Sequence, residues 1–152
     1  KQTIQFALQG GIIDLTCGMT GSAIPVPQAV KQALDAGVPL ERLTLSSDGN
    51  GSMPKFNENN ELIGLTAAAP RYLYEEMLSI VKAGVLPFDK ALQLITCNVA
   101  DALKLEDKGR IAVGKDADLI VWNDDLTLNK VFARGRLMVD EGQAVVKGTF
   151  EN

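Results

Sequence analysis

Arg42-Leu43-Thr44-Leu45-Ser46-Ser47-Asp48-Gly49-Asn50-Gly51-Ser52 runs from an apolar, β-compatible segment directly into a glycine-rich loop. Arg42 to Ser47 reads as a buried strand, and Asp48 stands where it opens. Loops held by a rigid scaffold carry much of protein chemistry, so a carboxylate at such a mouth is a candidate catalytic group. The chain contains no histidine. Asp48 therefore works here without an imidazole base or an imidazole metal ligand. Considered locally, Asp48 before Gly49 also suits a simple Asx turn in which Gly49 supplies positive φ.

On the N-terminal side, residues 2–9 carry Ile4, Ala7 and Leu8 at helical spacing, and Gly10-Gly11 ends that helix. Ile12 to Thr16 is a β-branched run and reads as a second buried strand. Cys17 to Pro27 reads as loop, with Gly18, Gly21, Pro25 and Pro27. Val26 to Ala36 reads as a helix with Val30, Ala33 and Leu34 on one face, capped by Gly37. On the other side, residues 48–70 are polar and rich in Asn and Gly, which predicts a long functional loop. Tyr72 to Ala83 is an amphipathic helix, Pro87 opens another through Ile95, and Asn98 to Leu103 is a short helical piece. From Asp107 onward strands and turns dominate: Arg110–Ala112, Asp118–Trp122, Asn129–Ala133, Leu137–Val139 and Ala144–Val146. Gly114, Gly135, Gly142 and Gly148 punctuate them. The expected organisation is an α/β piece over residues 1–106 followed by a small β piece over 107–152.

Composition is globular, with 46% hydrophobic and 22% charged residues among 152. The net charge of −4 and the absence of any Lys/Arg block argue against a nucleic-acid partner. Cys17 and Cys97 lie far apart and form no CxxC, which fits buried free thiols in a reducing compartment. No apolar run approaches the roughly 18–20 residues that span a bilayer, and no signal-peptide core follows Lys1. A cytoplasmic protein without membrane contact is expected.

Three patterns resemble sites and fail on chemistry. Gly109 to Asp116 nearly spells a P-loop, but its last position is a carboxylate where a hydroxyl would hold Mg²⁺. Asp48-Gly49-Asn50-Gly51-Ser52 starts like a calcium loop, yet the sixth position is Met53 and the twelfth Asn59. Lys108, Asp116, Asp118, Asp124 and Asp125 form a charged patch that reads as solvated turns.

The segment Gly109-Arg110-Ile111-Ala112-Val113-Gly114-Lys115-Asp116-Ala117-Asp118-Leu119-Ile120-Val121-Trp122 resembles the C-terminal signature of the amidohydrolase superfamily. Val131 to Val139 resembles the hairpin after it, and Ala91 to Ala100 the helix before it. The Asp48 loop, Gly10 to Thr16 and the tail Val145 to Glu151 are similar to the β-aspartyl (isoaspartyl) dipeptidases within that superfamily. The resemblance covers nearly the whole chain and corresponds to the C-terminal part of such an enzyme. It implies an α/β fold: the C-terminal part of a (β/α)₈ TIM-like barrel over residues 1–106, then strands of a small β-sandwich over 107–152.

The resemblance further implies a zinc metallopeptidase that hydrolyses isoaspartyl dipeptides at a binuclear zinc site and assembles as a homo-oligomer. Asp48 would then end the last barrel strand as both metal ligand and catalytic proton carrier, and Ser52 would bind the substrate carboxylate. The histidines, carboxylated lysine and arginines of that family lie on earlier strands that this chain does not contain. The chain is therefore read as a fragment, inactive alone, whose parent performs the chemistry. Two other readings stay open: a fragment of another amidohydrolase (a cyclic amidase or deacetylase), and a non-catalytic assembly domain in which Asp48 is only a turn former.

Overall fold

The computed structural model describes residues 2–19 and 24–148. Gly21 of the expected loop and Thr149 to Glu151 of the tail lie outside the described residues. The chain divides into two compact units, one up to Lys104 and one from Leu105.

The first unit opens with α1 (Gln2–Leu8), β1 (Ile13–Thr16) and α2 (Val26–Asp35). A 3₁₀ turn at Leu40–Arg42 then leads into β2 (Leu43–Ser46). β1 and β2 pair in parallel, with Ile13 opposite Leu43, Asp14 opposite Thr44, Leu15 opposite Leu45 and Thr16 opposite Ser46. Parallel neighbours need a crossover between them, and α2 provides it. Its face of Val26, Val30 and Ala33 is buried, and Leu43 and Leu45 are buried beside it. In α1, Ala7 enters the core but Leu8 stays largely exposed. Gly18 stands just past β1 with φ +74, and a Cβ there would meet the Tyr72 ring at 2.3 Å. Only glycine satisfies both constraints.

The segment expected as a 48–70 loop contains an antiparallel hairpin, β3 (Ser52–Phe56) and β4 (Leu62–Ala67). Its Asn-rich centre is the turn. Asn57 Oδ1 accepts from the backbone N–H groups of Asn59 at 3.0 Å and Glu61 at 2.9 Å, and Asn60 sits at φ 60. Pro54, Lys55 and Gly64 hide the alternation that betrays a strand. All of β4 is exposed, including Leu62, Ile63 and Leu65.

α3 (Tyr72–Lys82), α4 (Phe88–Gln93) and α5 (Cys97–Ala102) complete the unit. Met77 and Ile80 of α3 and Leu94 after α4 are fully buried. Burying a side chain of that size contributes about 1.5–3 kcal/mol. Asn98 of α5, like Thr44 of β2, is polar and buried in this apolar setting. Its Nδ2 donates to the carbonyls of Leu40 at 2.8 Å and Leu43 at 2.9 Å, tying α5 to the start of β2.

The second unit is a four-stranded antiparallel sheet of β5 (Leu119–Trp122), β6 (Leu128–Ala133), β7 (Arg136–Asp140) and β8 (Gln143–Ala144), in sequence order. Two hairpin turns place consecutive residues in the left-handed region: Arg134 and Gly135 at φ 48 and 76, Glu141 and Gly142 at φ 47 and 75. That pairing marks the tight turns whose twist matches the strands. Arg110–Ala112, expected as a strand, is not one. Gly109 and Gly114 turn the chain on either side at φ 77 and 85, and Ile111 and Val113 are exposed. No transmembrane-length apolar helix occurs among the described residues.

Asn98→Ala removes the amide from the Leu40 carbonyl, which keeps the Leu43 N–H, and from the buried Leu43 carbonyl, and it leaves a gap beside the core. Unfolding in urea should show a loss of about 2–3 kcal/mol; a loss below about 0.5 kcal/mol would mean the amide does not fasten α5 to β2.

Candidate functional site

β2 delivers its last residue, Ser46, to the rim of the first unit, and the chain then turns sharply. Asp48 to Gly51 forms a four-residue turn in which the Gly51 N–H donates to the Asp48 carbonyl at 2.7 Å. Asp48 and Asn50 adopt φ 48 and 66, a region that Asp and Asn tolerate better than most residues. The expectation that Gly49 supplies the positive φ is thus shifted: Asp48 itself and Asn50 do so. The turn is sewn to the far end of the hairpin, with Asn50 N–H donating to the Ala68 carbonyl at 2.9 Å and Ala68 N–H to the Gly51 carbonyl at 2.8 Å.

Asp48 is exposed, and its carboxyl group lies over Gly51. A Cβ on Gly51 would sit 2.6 Å from the Asp48 carboxyl atoms. Gly49 is likewise confined, with Ser47 Oγ at 3.2 Å and Pro70 at 3.3 Å from a Cβ built there. Ser52 is also exposed. It opens β3 opposite Ala67 and is not a loop residue. The turn therefore brings the two expected site residues to one rim, and of the residues between them Gly51 is the one that cannot carry a side chain without moving the carboxylate. The calcium-loop resemblance dissolves here, because its second half is the β3 strand and the hairpin turn.

The sequence reading missed Asp14 as a polar centre. It lies on β1 in register with Thr44, and its Oδ1 accepts from Thr44 Oγ1 at 2.7 Å. Its Oδ2 accepts from Ser46 Oγ at 2.5 Å. The available signal was a lone carboxylate inside the β-branched run Ile12 to Thr16. Asp14 also borders a cleft of about 250 Å³ together with Thr16, Met19, Pro25, Val26 and Glu76. Cys17, next to it, is fully buried, and its thiol is pushed up to about 12, first by burial and then by the carboxylates of Glu76 and Asp14. A thiol so placed is a packing group and not a nucleophile.

In the second unit, Lys108 bridges Asp116 at 2.6 Å and Asp118, and Arg134 Nε reaches Asp116 at 3.4 Å. Hydrogen bonds from Lys108 hold both carboxyls below their ordinary range and raise Lys108. Of the expected patch, Lys108, Asp116 and Asp118 form an ion-pair cluster at the root of β5, while Asp125 accepts from the Thr127 N–H and hydroxyl in an exposed turn. The P-loop-like Lys115 donates to the Glu106 carbonyl.

Among the described residues no group of three or more His, Cys, Asp or Glu side chains is arranged to hold a metal ion. Asp48 can supply one carboxylate to such a centre and no more.

The model of the amidohydrolase family matches residues 25–141. Among solved structures, the chain is similar to β-aspartyl dipeptidase from Fervidobacterium islandicum AW-1 in complex with a β-Asp-Leu dipeptide. The TM-score is 0.82 and the identity 32%, over 97% of this chain and 38% of that one. Among curated relatives, imidazolonepropionase from Anaeromyxobacter sp. strain K is 34% identical over 112 residues, covering 74% of this chain and 22% of its own length. Adenine deaminase 1 from Carboxydothermus hydrogenoformans is 28% identical over 104 residues, covering 67% of this chain and 17% of its own. The chain thus spans about a fifth of the length of these curated relatives.

Two outcomes follow from the site. Gly51→Ala should fold with a stability change below about 1 kcal/mol, because its φ lies outside the left-handed region. A crystal structure of the variant should show the Asp48 carboxylate swung off the turn; an unmoved carboxylate contradicts the packing described. For Cys17, alkylation at pH 8 followed by peptide mapping should modify the half-buried Cys97 and leave Cys17 intact until urea is added. Because the folded thiol is raised from 9.0 to about 12, Cys17 stabilises the fold fully below pH 9. That contribution is lost as the pH rises from 9 towards 12, where only the unfolded chain ionises it.

Proposed function

The chain belongs to the amidohydrolase family, and from that premise we propose that it is the Asp48-bearing, C-terminal part of a hydrolase acting on β-aspartyl dipeptides. The observation that carries this reading is the likeness to the β-aspartyl dipeptidase structure, which runs over 97% of the chain at 32% identity. The fold is a partial α/β piece of the amidohydrolase architecture, and barrels of that class assemble their sites where strands end and loops begin. β2 ends in that way, and the Asp48 turn follows it.

In this reading Asp48 is the carboxylate that accepts a proton as water attacks the scissile amide and passes it to the departing amine. Its exposure at the rim leaves it accessible to a substrate. Ser52 offers a hydroxyl to the substrate carboxylate from the first position of β3. Gly51 has no side chain to displace the Asp48 carboxyl that lies over it, and Gly49 lets the turn pass close to Pro70. Amidohydrolases generally use metal ions, and zinc would be the metal here. The residues of this chain do not fit a metal centre by themselves: there is one carboxylate at the turn and no histidine in the sequence. The metal-holding residues would come from the remaining strands of the barrel, and the complete protein would associate into a homo-oligomer.

The imidazolonepropionase and adenine deaminase relatives favour a second reading, an amidohydrolase acting on a cyclic substrate. Both readings use Asp48 in the same way and differ in the substrate that Ser52 faces.

The test is kinetic. In the complete protein, Asp48→Asn should lower kcat on an isoaspartyl dipeptide by roughly 10²–10⁴-fold, and Ser52→Ala should chiefly raise KM. Hydrolysis confined to cyclic amides or amidines would select the second reading. Activity untouched by Asp48→Ala would leave only the assembly-domain reading. The chain by itself should show no zinc-dependent hydrolysis and no stoichiometric zinc binding by calorimetry.

A further inference from the structure

β2 is secured along its whole length by groups of different kinds. At its start, Asn98 Nδ2 donates to the carbonyls of Leu40 and Leu43. Midway, Leu45 N–H donates to the Leu94 carbonyl at 3.0 Å. At its end, Cys17 N–H donates to the Ser46 carbonyl at 2.7 Å, and Ser46 Oγ donates to Asp14 Oδ2 at 2.5 Å. The last of these is a side-chain bond from the strand's final residue to a charged acceptor on its neighbour. Thr44 sends its hydroxyl to the other oxygen of the same carboxylate.

This arrangement exceeds what pairing requires. The parallel ladder already sets the register of β1 and β2. Asp14 adds side-chain tethers to the ladder at Thr44 and at Ser46, which stands two residues before Asp48. Bonds to a charged acceptor are the stronger kind, and one carboxylate receiving two of them from i and i+2 on one strand resists rotation of that strand about its axis. Such rotation would swing the exit of β2 and carry the Asp48 turn with it. Both hydroxyls are committed as donors to Asp14, so each keeps only its lone pairs for the space around it. Neither can then donate to a carboxylate at the strand's mouth, which leaves Asp48 free to meet substrate or water.

We propose that Asp14 is a positioning residue for the Asp48 turn, acting through Thr44 and Ser46. The proposal rests on reading Asp48 as the reacting carboxylate, but one of its two readouts is independent of that reading.

The experiment uses the complete protein with Asp14→Asn, which keeps the size of the side chain and one acceptor oxygen. Ser46→Ala serves as a second variant, which removes the link from the strand side. Amide hydrogen exchange, read by mass spectrometry, should speed up in peptides covering residues 47–53 by about fivefold or more, with α2 and α3 unchanged. The double variant should exchange no faster than the faster single variant, since both remove one link. On an isoaspartyl dipeptide, kcat should fall by about tenfold with KM within about twofold, the pattern of misplacement and not of lost binding. Unchanged exchange at 47–53 in a folded Asp14→Asn protein overturns the proposal. So does an increase spread evenly over the first unit, which is the mark of a purely structural role. Faster exchange confined to the turn, in a protein that does not hydrolyse the dipeptide, upholds the positioning role and removes the dipeptidase reading.

Discussion

A single buried amide joins the end of the first unit to its centre. Asn98 stands in an apolar setting and satisfies two backbone carbonyls at the entrance of β2, a strand whose leucines are wholly enclosed. The elements that follow build on that entrance in order: the strand laddered against β1, the turn at Asp48, and the hairpin sewn to that turn through Asn50, Gly51 and Ala68. The Leu40 carbonyl also accepts from the Leu43 N–H, so the amide adds a second donor there and one at the buried Leu43 carbonyl, fastening α5 to the start of β2.

The α/β character of the first unit was legible because its signals are periodic. A β-branched run gave β1, the short apolar segment before the Asp48 loop gave β2, and the apolar phase of Val26 to Ala36 and Tyr72 to Ala83 gave α2 and α3. Asp48 was legible as a residue at a strand's mouth, although the turn shares the strain between Asp48 and Asn50 and not with Gly49. The hairpin at β3 and β4 was not, because β4 is exposed throughout and β3 buries only Met53, so neither shows the alternation that burial imposes. Arg110–Ala112 erred the other way: its β-like composition has flanking glycines that turn the chain. Asp14 escaped because its meaning is set by residues Thr44 and Ser46, distant in sequence and adjacent only through register.

The two units use charge differently. In the second, Lys108 and Arg134 gather Asp116 and Asp118 into a cluster that secures the approach to β5, with the Arg134 backbone N–H donating to Asp118 Oδ1 at 2.7 Å. In the first, the carboxylate of Asp14 is met by hydroxyls, while Asp48 lies over a glycine. Ion pairing thus serves architecture in one place, and in the other a carboxylate stands exposed at the rim.

The strand order of the second unit bears on how the chain assembles. Each of its strands pairs with its immediate successor across a short turn, whereas β1 and β2 meet only after the whole of α2 has been laid down between them. Contacts close in sequence form with little loss of loop entropy, and distant ones wait for it to be repaid. The meander can therefore zip from its two tight turns while the parallel pair is still searching, so the Asp48 turn belongs to the later-forming half of the molecule.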